Sequence, residues 1–376
     1  MAACSDQLGG LCRVTMTADV VSGSTATARQ IASRRAIALW LFGVCALLVA
    51  MIVLGGLTRL TGSGLSITEW KPIHGALPPL SDREWGQEFD AYKTIPQYQR
   101  VNAGMTLDEF KGIYWWEWAH RNLGRFIGFA FLVPFVVFAV QRRIEPALYP
   151  RLIFLFVLGG LQGVLGWFMV MSGLQDRVEV SQYRLVAHLG LALAIYAAMV
   201  WTALPLWRGE WPMKRETHPM LRWTLAIVSL VYAQMLLGGF VAGLHAGLTY
   251  NTWPLMDGRL VPAGLFAHAP WWLAPFEDVT TAQFDHRLIA YLVAGSVAAL
   301  WFAERRRARS VEVALTANLL LGAVGLQIVL GVWTLLEAAP VWLSALHQLG
   351  AVALFSAALV HAFALRSPIR PYNTIS

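Results

Sequence analysis

Eight apolar runs of about 20 residues recur along the chain, each nearly free of charge and each bounded by polar or proline-containing connections. They read as helices over approximately Ala36–Leu57, Trp118–Gln141, Leu152–Met171, Tyr183–Leu206, Leu221–Leu244, Ala282–Ala303, Val313–Leu336 and Val341–Leu365. In lipid only a helix or a closed barrel satisfies its own backbone, and these runs are too long and too little alternating for barrel strands. The pattern predicts an all-α polytopic membrane protein with eight transmembrane helices.

The pattern also repeats. The first run ends in VLGGLTRLTGSGLSITEWKP and the fifth in LLGGFVAGLHAGLTYNTWP, each a Gly pair followed by a Gly/Leu/Thr-rich stretch and a Trp-Xaa-Pro or Trp-Pro turn. GLQGVLG (Gly160–Gly166) in the third run and GLQIVLG (Gly325–Gly331) in the seventh differ at one position. The second and sixth share His-Arg, at 120/121 and 286/287. The fourth holds AHLG (Ala187–Gly190) and the eighth LHQLG (Leu346–Gly350), which aligns His188 with His347. Matches in this order at nearly constant offset indicate a tandem duplication. With four spans per half, the halves keep one orientation, as two pseudo-symmetric four-helix bundles about an axis along the membrane normal.

The expected organisation is a cytoplasmic tail over 1–35, an N-terminal bundle over 36–206 and a C-terminal bundle over 221–365. A cytoplasmic linker over 207–220 joins the bundles, and a second tail covers 366–376. The first bundle carries a long outer loop, 58–116, which reads as a cover over something. Gly159, Gly163, Gly322 and Gly325 read as close-packing positions between helices.

Composition agrees with the span pattern. The 376 residues are 57% hydrophobic and 14% charged, against about a quarter charged in soluble domains. Lys and Arg gather on the side that holds both termini, while the opposite side has a slight acidic excess. That bias places the termini in the cytoplasm, or in the matrix of an organelle. The net charge of +7 therefore reflects topology, and nucleic acid is not an expected partner. Cys4 and Cys12 lie in the N-terminal tail and Cys45 in the first run, so no disulfide framework is available in the outer loops. The Ser/Thr/Ala-rich tail reads as disordered, with a transit peptide as the alternative. The first run is long enough to span, so no cleavable signal is expected.

The candidate chemistry lies at the outer ends of the even-numbered runs. Tyr114–Arg125, YWWEWAHRNLGR, brings a glutamate, a histidine and two arginines to the mouth of an apolar helix, where polar groups are costly and usually functional. His120, His188, His286 and His347 each fall within about two turns of the outer end of their helix, so each half supplies two histidines at similar depth. A lone intramembrane histidine is commonly a hydrogen-bonded core residue. Two equivalent pairs at matched depth instead suit axial ligation of a haem iron from both faces. Zinc is disfavoured because no Cys or carboxylate completes a four-ligand set. His218 and His361 read as incidental, and His245, just past the fifth run, as a weaker candidate for contact with a haem edge.

Arg121, Arg125, Arg287 and Arg184 sit at the same level. They suit either snorkelling to the interface or pairing with haem propionates, and the two His-Arg pairs favour the propionates. Glu117 shares a helix face with His120 at i, i+3, while the second copy has Gln283 in its place. A di-iron site needs two such E-x-x-H motifs and is disfavoured. Glu117 either favours a helix N-terminus or gives one haem site a carboxylate that the other lacks.

Together GGLTRLTGSGLSITEWKP, WWEWAHRNLGR, FDHR and LHQLG resemble the haem A synthase family, over about Ile37–Leu365. The resemblance implies an inner-membrane oxidoreductase that converts the C8 methyl of haem O into the formyl of haem A for terminal oxidases. It implies two successive hydroxylations and loss of water from a geminal diol. By position, His286 and His347 would ligate a resident haem b in the C-terminal bundle. His120 and His188, with Arg121 and Arg125, would hold the substrate haem. Glu117 would be the catalytic carboxylate, and Arg287 and Arg184 candidates for the propionates. One branch of the family carries outer-loop cysteine pairs, and their lack here resembles the proteobacterial and mitochondrial branch. The expected setting is the bacterial inner membrane, with the mitochondrial inner membrane as the alternative. Expected partners are haem O, membrane lipid, haem O synthase, oxidase assembly factors and an unidentified electron acceptor, with a homo-oligomer left open. The competing reading is a di-haem b-type cytochrome for quinol-linked electron transfer.

Overall fold

The computed structural model describes residues 8–70, 74–209, 211, 218–306 and 310–366. The helices are α1 (Leu8–Leu60), α2 (Asp82–Lys93), α3 (Pro96–Arg100), α4 (Leu107–Val140), α5 (Tyr149–Leu174), α6 (Gln182–Arg208), α7 (Leu221–Gly243), α8 (Ala274–Glu277), α9 (Val279–Arg305), α10 (Val311–Leu336) and α11 (Val341–Ala364). Eight of them, α1, α4, α5, α6, α7, α9, α10 and α11, are long and apolar enough to cross a membrane, as the hydrophobic pattern predicts. No strand occurs among the described residues.

Two boundaries differ from the sequence reading. Helix α1 is already formed at Leu8, so 8–35 is a helical extension of the first span rather than an irregular tail; no proline interrupts it. The second span begins at Leu107, not near Trp118. The start is set by a capping box, in which Thr106 accepts from the Glu109 N–H and the Glu109 side chain accepts from the Thr106 N–H. The added 11 residues extend the helix outward by about 16 Å. The C-terminal tail beyond 366 and most of the inner linker lie outside the described residues.

The spans pack as two rings. In the first, α1 meets α4, α4 meets α5, α5 meets α6 and α6 returns to α1. In the second, α7, α9, α10 and α11 follow the same order. The rings join through α6 against α7 and α11 against α1, so the last helix of each half packs on the first helix of the other. This reciprocity fits the two-bundle organisation. The core lies along that seam: 56% of the apolar window of α6 is buried, against 6% for α4 and for α5. Leu193, Tyr196 and Met199 of α6 pack in one cluster with Val231 of α7 and Phe355 and Leu359 of α11. Inside it the Tyr196 hydroxyl and Ser356 Oγ are hydrogen-bonded at 2.7 Å.

The outer loop of the first half folds over the protruding end of α4. Trp85, Phe89 and Tyr92 of α2 bury their rings against Phe110 and Tyr114 of α4, with Leu65 and Ile95 completing the cluster. Ring centroids lie 4.9 Å apart for Trp85–Tyr114 and 5.0 Å for Phe89–Phe110, the spacing of favourable aromatic pairs.

Candidate functional site

Each of the four histidines of the two candidate pairs rests against a glycine of the helix beside it. A Cβ at Gly55 (α1) would stand 2.9 Å from Cε1 of His120 (α4), and one at Gly166 (α5) 2.9 Å from Cε1 of His188 (α6). In the second half the values are 3.3 Å for Gly238 (α7) to His286 (α9) and 2.8 Å for Gly331 (α10) to His347 (α11). Close approach of ring to backbone is what requires glycine here. The glycines read from the sequence as packing positions are different ones. Gly159, Gly163, Gly322 and Gly325 have nothing within 4 Å of a Cβ, so they make no close helix contact, and the packing role passes to Gly166 and Gly331.

Within each ring the histidine-bearing helices are diagonal, α4 across from α6 and α9 across from α11. Three of the four are also held by a glutamine one turn before the glycine. Gln162 Nε2 lies 3.2 Å from His188 Nδ1 and donates to the His188 carbonyl at 2.9 Å. Gln234 does the same for His286, at 3.1 and 2.9 Å, and Gln327 for His347, at 3.1 and 3.0 Å. No three His, Cys, Asp or Glu side chains gather as a metal site among the described residues. Two imidazoles from opposite sides suit a metal that brings its remaining ligands with it, as a haem iron does. The buried, unpartnered His120 Nδ1 and glutamine Oε1 atoms show that hydrogen-bonding capacity remains beside both pairs.

Above each pair, an arginine ties its helix to the outer connection. Arg121 donates to the carbonyls of Ile67 at 2.8 Å and Glu69 at 3.2 Å. Arg287 donates to those of Tyr250 at 2.8 Å and Thr252 at 3.0 Å. Here the halves diverge. Glu117 is 2% exposed; its Oε1 takes Arg121 at 2.6 Å, and its Oε2 takes the Ser66 hydroxyl at 2.7 Å and the Ile67 N–H at 2.9 Å. Gln283 Oε1 still accepts from Arg287, at 3.3 Å, but its amide N–H donates to the Ala246 carbonyl at 2.8 Å and it carries no charge, while Arg287 Nε stays buried without a partner. Glu117 therefore does not sit at a helix N-terminus, since α4 starts ten residues earlier. It locks the loop 66–69 onto the helix that carries His120.

The model of a family described as cytochrome oxidase assembly protein matches residues 38–359. The chain belongs to that family. It is 57% identical over 330 residues to a protein of Parvibaculum lavamentivorans named Heme A synthase, covering 88% of this chain and 94% of that one. A protein of the same name from Nitrosomonas eutropha is 50% identical over 86% of this chain and 92% of its own length. Another, from Caulobacter sp., is 51% identical over 89% and 97%.

Within this family member, the remaining candidates fall outside the two histidine pairs. Arg125 lies one turn inward of Arg121 and donates to Asn122 Oδ1 at 3.2 Å. Arg184 lies one turn outward of His188 and turns onto α5, where Nη1 donates to the Phe168 carbonyl at 2.7 Å and its guanidinium stacks on the Phe168 ring. With Arg177 it borders an outer cleft of about 360 Å³. His361 is fully buried at the inner end of the second half, hydrogen-bonded to Thr316 Oγ1 at 2.9 Å and 3.3 Å from a carboxylate oxygen of Glu304. It is a structural polar contact rather than an incidental residue. His245 joins the halves: its Nε2 is 2.8 Å from Glu179, which also binds Arg59 at 2.8 Å. Sequence reasoning missed the glutamines, although each stands four residues before the glycine that its histidine touches.

Proposed function

We propose that this protein is a haem A synthase, oxidising the C8 methyl of haem O to a formyl group. The observation that carries the reading is the pairing of two alike histidine sites of which one alone has a buried carboxylate, in a chain about half identical to proteins named Heme A synthase over most of its length. The C-terminal pair, His286 and His347, holds a resident haem b, which supplies one-electron transfer when bound. The N-terminal pair, His120 and His188, holds haem O as substrate and haem A as product. The protein lies in the bacterial inner membrane with both termini cytoplasmic.

Methyl to formyl is a four-electron oxidation. Two hydroxylations, each taking its oxygen from a water, give a geminal diol, and loss of one water leaves the aldehyde. The net change consumes one water; its four electrons pass to an acceptor outside this chain and its four protons to solvent. As electrons leave, positive charge develops at the methyl carbon, and a fixed carboxylate near it lowers the barrier. Both oxygens of Glu117 are occupied by donors, so the carboxylate acts electrostatically rather than as a proton carrier. Arg121 and the Ser66–Ile67 turn keep it from moving. Arg121 and Arg287 would also meet propionates, each in addition to the loop carbonyls it binds.

The test is conversion of haem O by the purified protein reconstituted with an electron acceptor. Haem A, or its hydroxymethyl precursor, is the expected product. Unchanged haem O, in a preparation whose haem b turns over redox equivalents, would overturn the assignment.

A further inference from the structure

The four histidines differ in one respect that the proposed function does not explain. Along α5, α7 and α10, the residue four before the contact glycine is Gln162, Gln234 and Gln327, and each amide clamps a histidine ring and the carbonyl of the same residue. Along α1 that position is Met51. Its methyl lies over Gly124, one turn inward of His120 (3.5 Å to a Cβ placed there), and His120 Nδ1 is buried with no partner.

Each amide N–H donates to the carbonyl of the histidine it serves at 2.9–3.0 Å, and the same nitrogen lies 3.1–3.2 Å from Nδ1 and 3.3–3.5 Å from Nε2, over the ring. The imidazole is thereby held in one orientation against its glycine, as an outer partner orients a metal ligand. A thioether has no N–H to give, so His120 lacks this support.

We propose that Met51 makes His120 the releasable ligand of the N-terminal pair, so that the haem held there is exchanged by breaking its bond to His120 while His188 keeps hold. This rests on the reading of that bundle as the substrate site, where a tight grip from both faces would trap the product. The C-terminal pair, with a glutamine on each histidine, is built to retain its haem. Met51 is thus a positioning residue that acts by omission, and the departure at 51 accompanies the departure at Glu117, three residues before the same histidine.

The experiment is haem transfer from the purified full-length protein to excess apomyoglobin, with each haem followed by mass and by its reduced spectrum. In the wild type the N-terminal haem should transfer and the C-terminal haem b should stay. Met51→Gln should slow transfer of the N-terminal haem by about 10-fold or more, the scale on which such outer partners act, while Met51→Leu transfers as the wild type does. Gln234→Met should make haem b transferable, which keeps the test open if Met51→Gln folds poorly. Equal transfer rates for Met51→Gln and wild type, or wild-type haem b leaving as fast as the N-terminal haem, would overturn the proposal. If both sites hold haem B, the proposed reaction fails, yet the exchange asymmetry is still read from the two haem B populations.

Discussion

Gln348, the residue after His347, reaches across the seam between the halves and donates its amide to the Ile52 carbonyl at 2.9 Å, lying directly over Gly56. Gly56 adjoins Gly55, against which His120 rests. The reverse contact is made by Leu189, which follows His188 and packs on Gly239, the neighbour of the Gly238 that meets His286. Each Gly pair thus touches a histidine of its own half and the residue after a histidine of the other half. The two sites share a packed wall.

A side chain at Gly55 must push the His120 ring. Gly55→Ala is expected to lower haem content in the N-terminal bundle by about 10-fold, as for other displaced ligands. Gly238→Ala, with 3.3 Å available instead of 2.9 Å, should cost the C-terminal haem much less. Pyridine haemochrome titration of the two variants checks the order.

Glu117→Gln keeps a side chain of the same shape and removes the charge opposite Arg121. It should leave the aromatic cover folded and haem bound, and reduce product formation by about 100-fold or more, as for loss of one preorganised electrostatic group. Glu117→Ala is a less clean probe, because it also frees the loop at Ser66 and Ile67. Retained turnover in Glu117→Gln, measured as haem A per protein, would assign the residue to loop anchoring alone.

The eight spans, the histidine pairs and the odd position of Glu117 were legible because they depend on hydrophobic length and on comparison of the chain with itself. The start of α4 was also written in the chain, in Thr106 and Glu109, but the polar and aromatic residues around that signal masked it as a loop. The partners of Glu117 could not be read. Ser66 and Ile67 reach it only because the loop turns back over the end of α4, a tertiary event 50 residues away in sequence. The glutamine clamps failed for another reason: an amide in an apolar run has no fixed meaning until the ring beside it is known.

Arg59, at the outer end of α1, and Glu179 and His245, in the connections beyond α5 and α7, tie the outer ends of the halves together. The hydrogen bond to His245, followed by the charge of Arg59, holds the Glu179 carboxyl below its ordinary value of 4.5 against partial desolvation. A carboxylate depressed in the folded state contributes stability above the unfolded pKa and loses it as pH falls through the folded one. Glu179→Gln should therefore lower the thermal midpoint at neutral pH, with the gap from wild type closing only below about pH 4.5. A gap that is constant down to strongly acidic pH would remove the ion pair from the account.

His286→Ala and His347→Ala should each deplete haem b while sparing the N-terminal site, whereas His188→Ala should do the reverse. Loss of both haems in all three variants, by quantitative extraction, would mean that the halves do not load independently.

The central claim is that two alike sites hold chemically different haems, one resident and one in transit. Extraction of the haems from protein expressed with a supply of haem O, identified by mass, tests this directly. The account predicts haem B together with haem O, haem A or a hydroxylated intermediate, and loss of haem B alone in His286→Ala. Haem B as the sole species in the wild type would contradict it, and would favour a di-haem cytochrome that carries electrons without altering its haems.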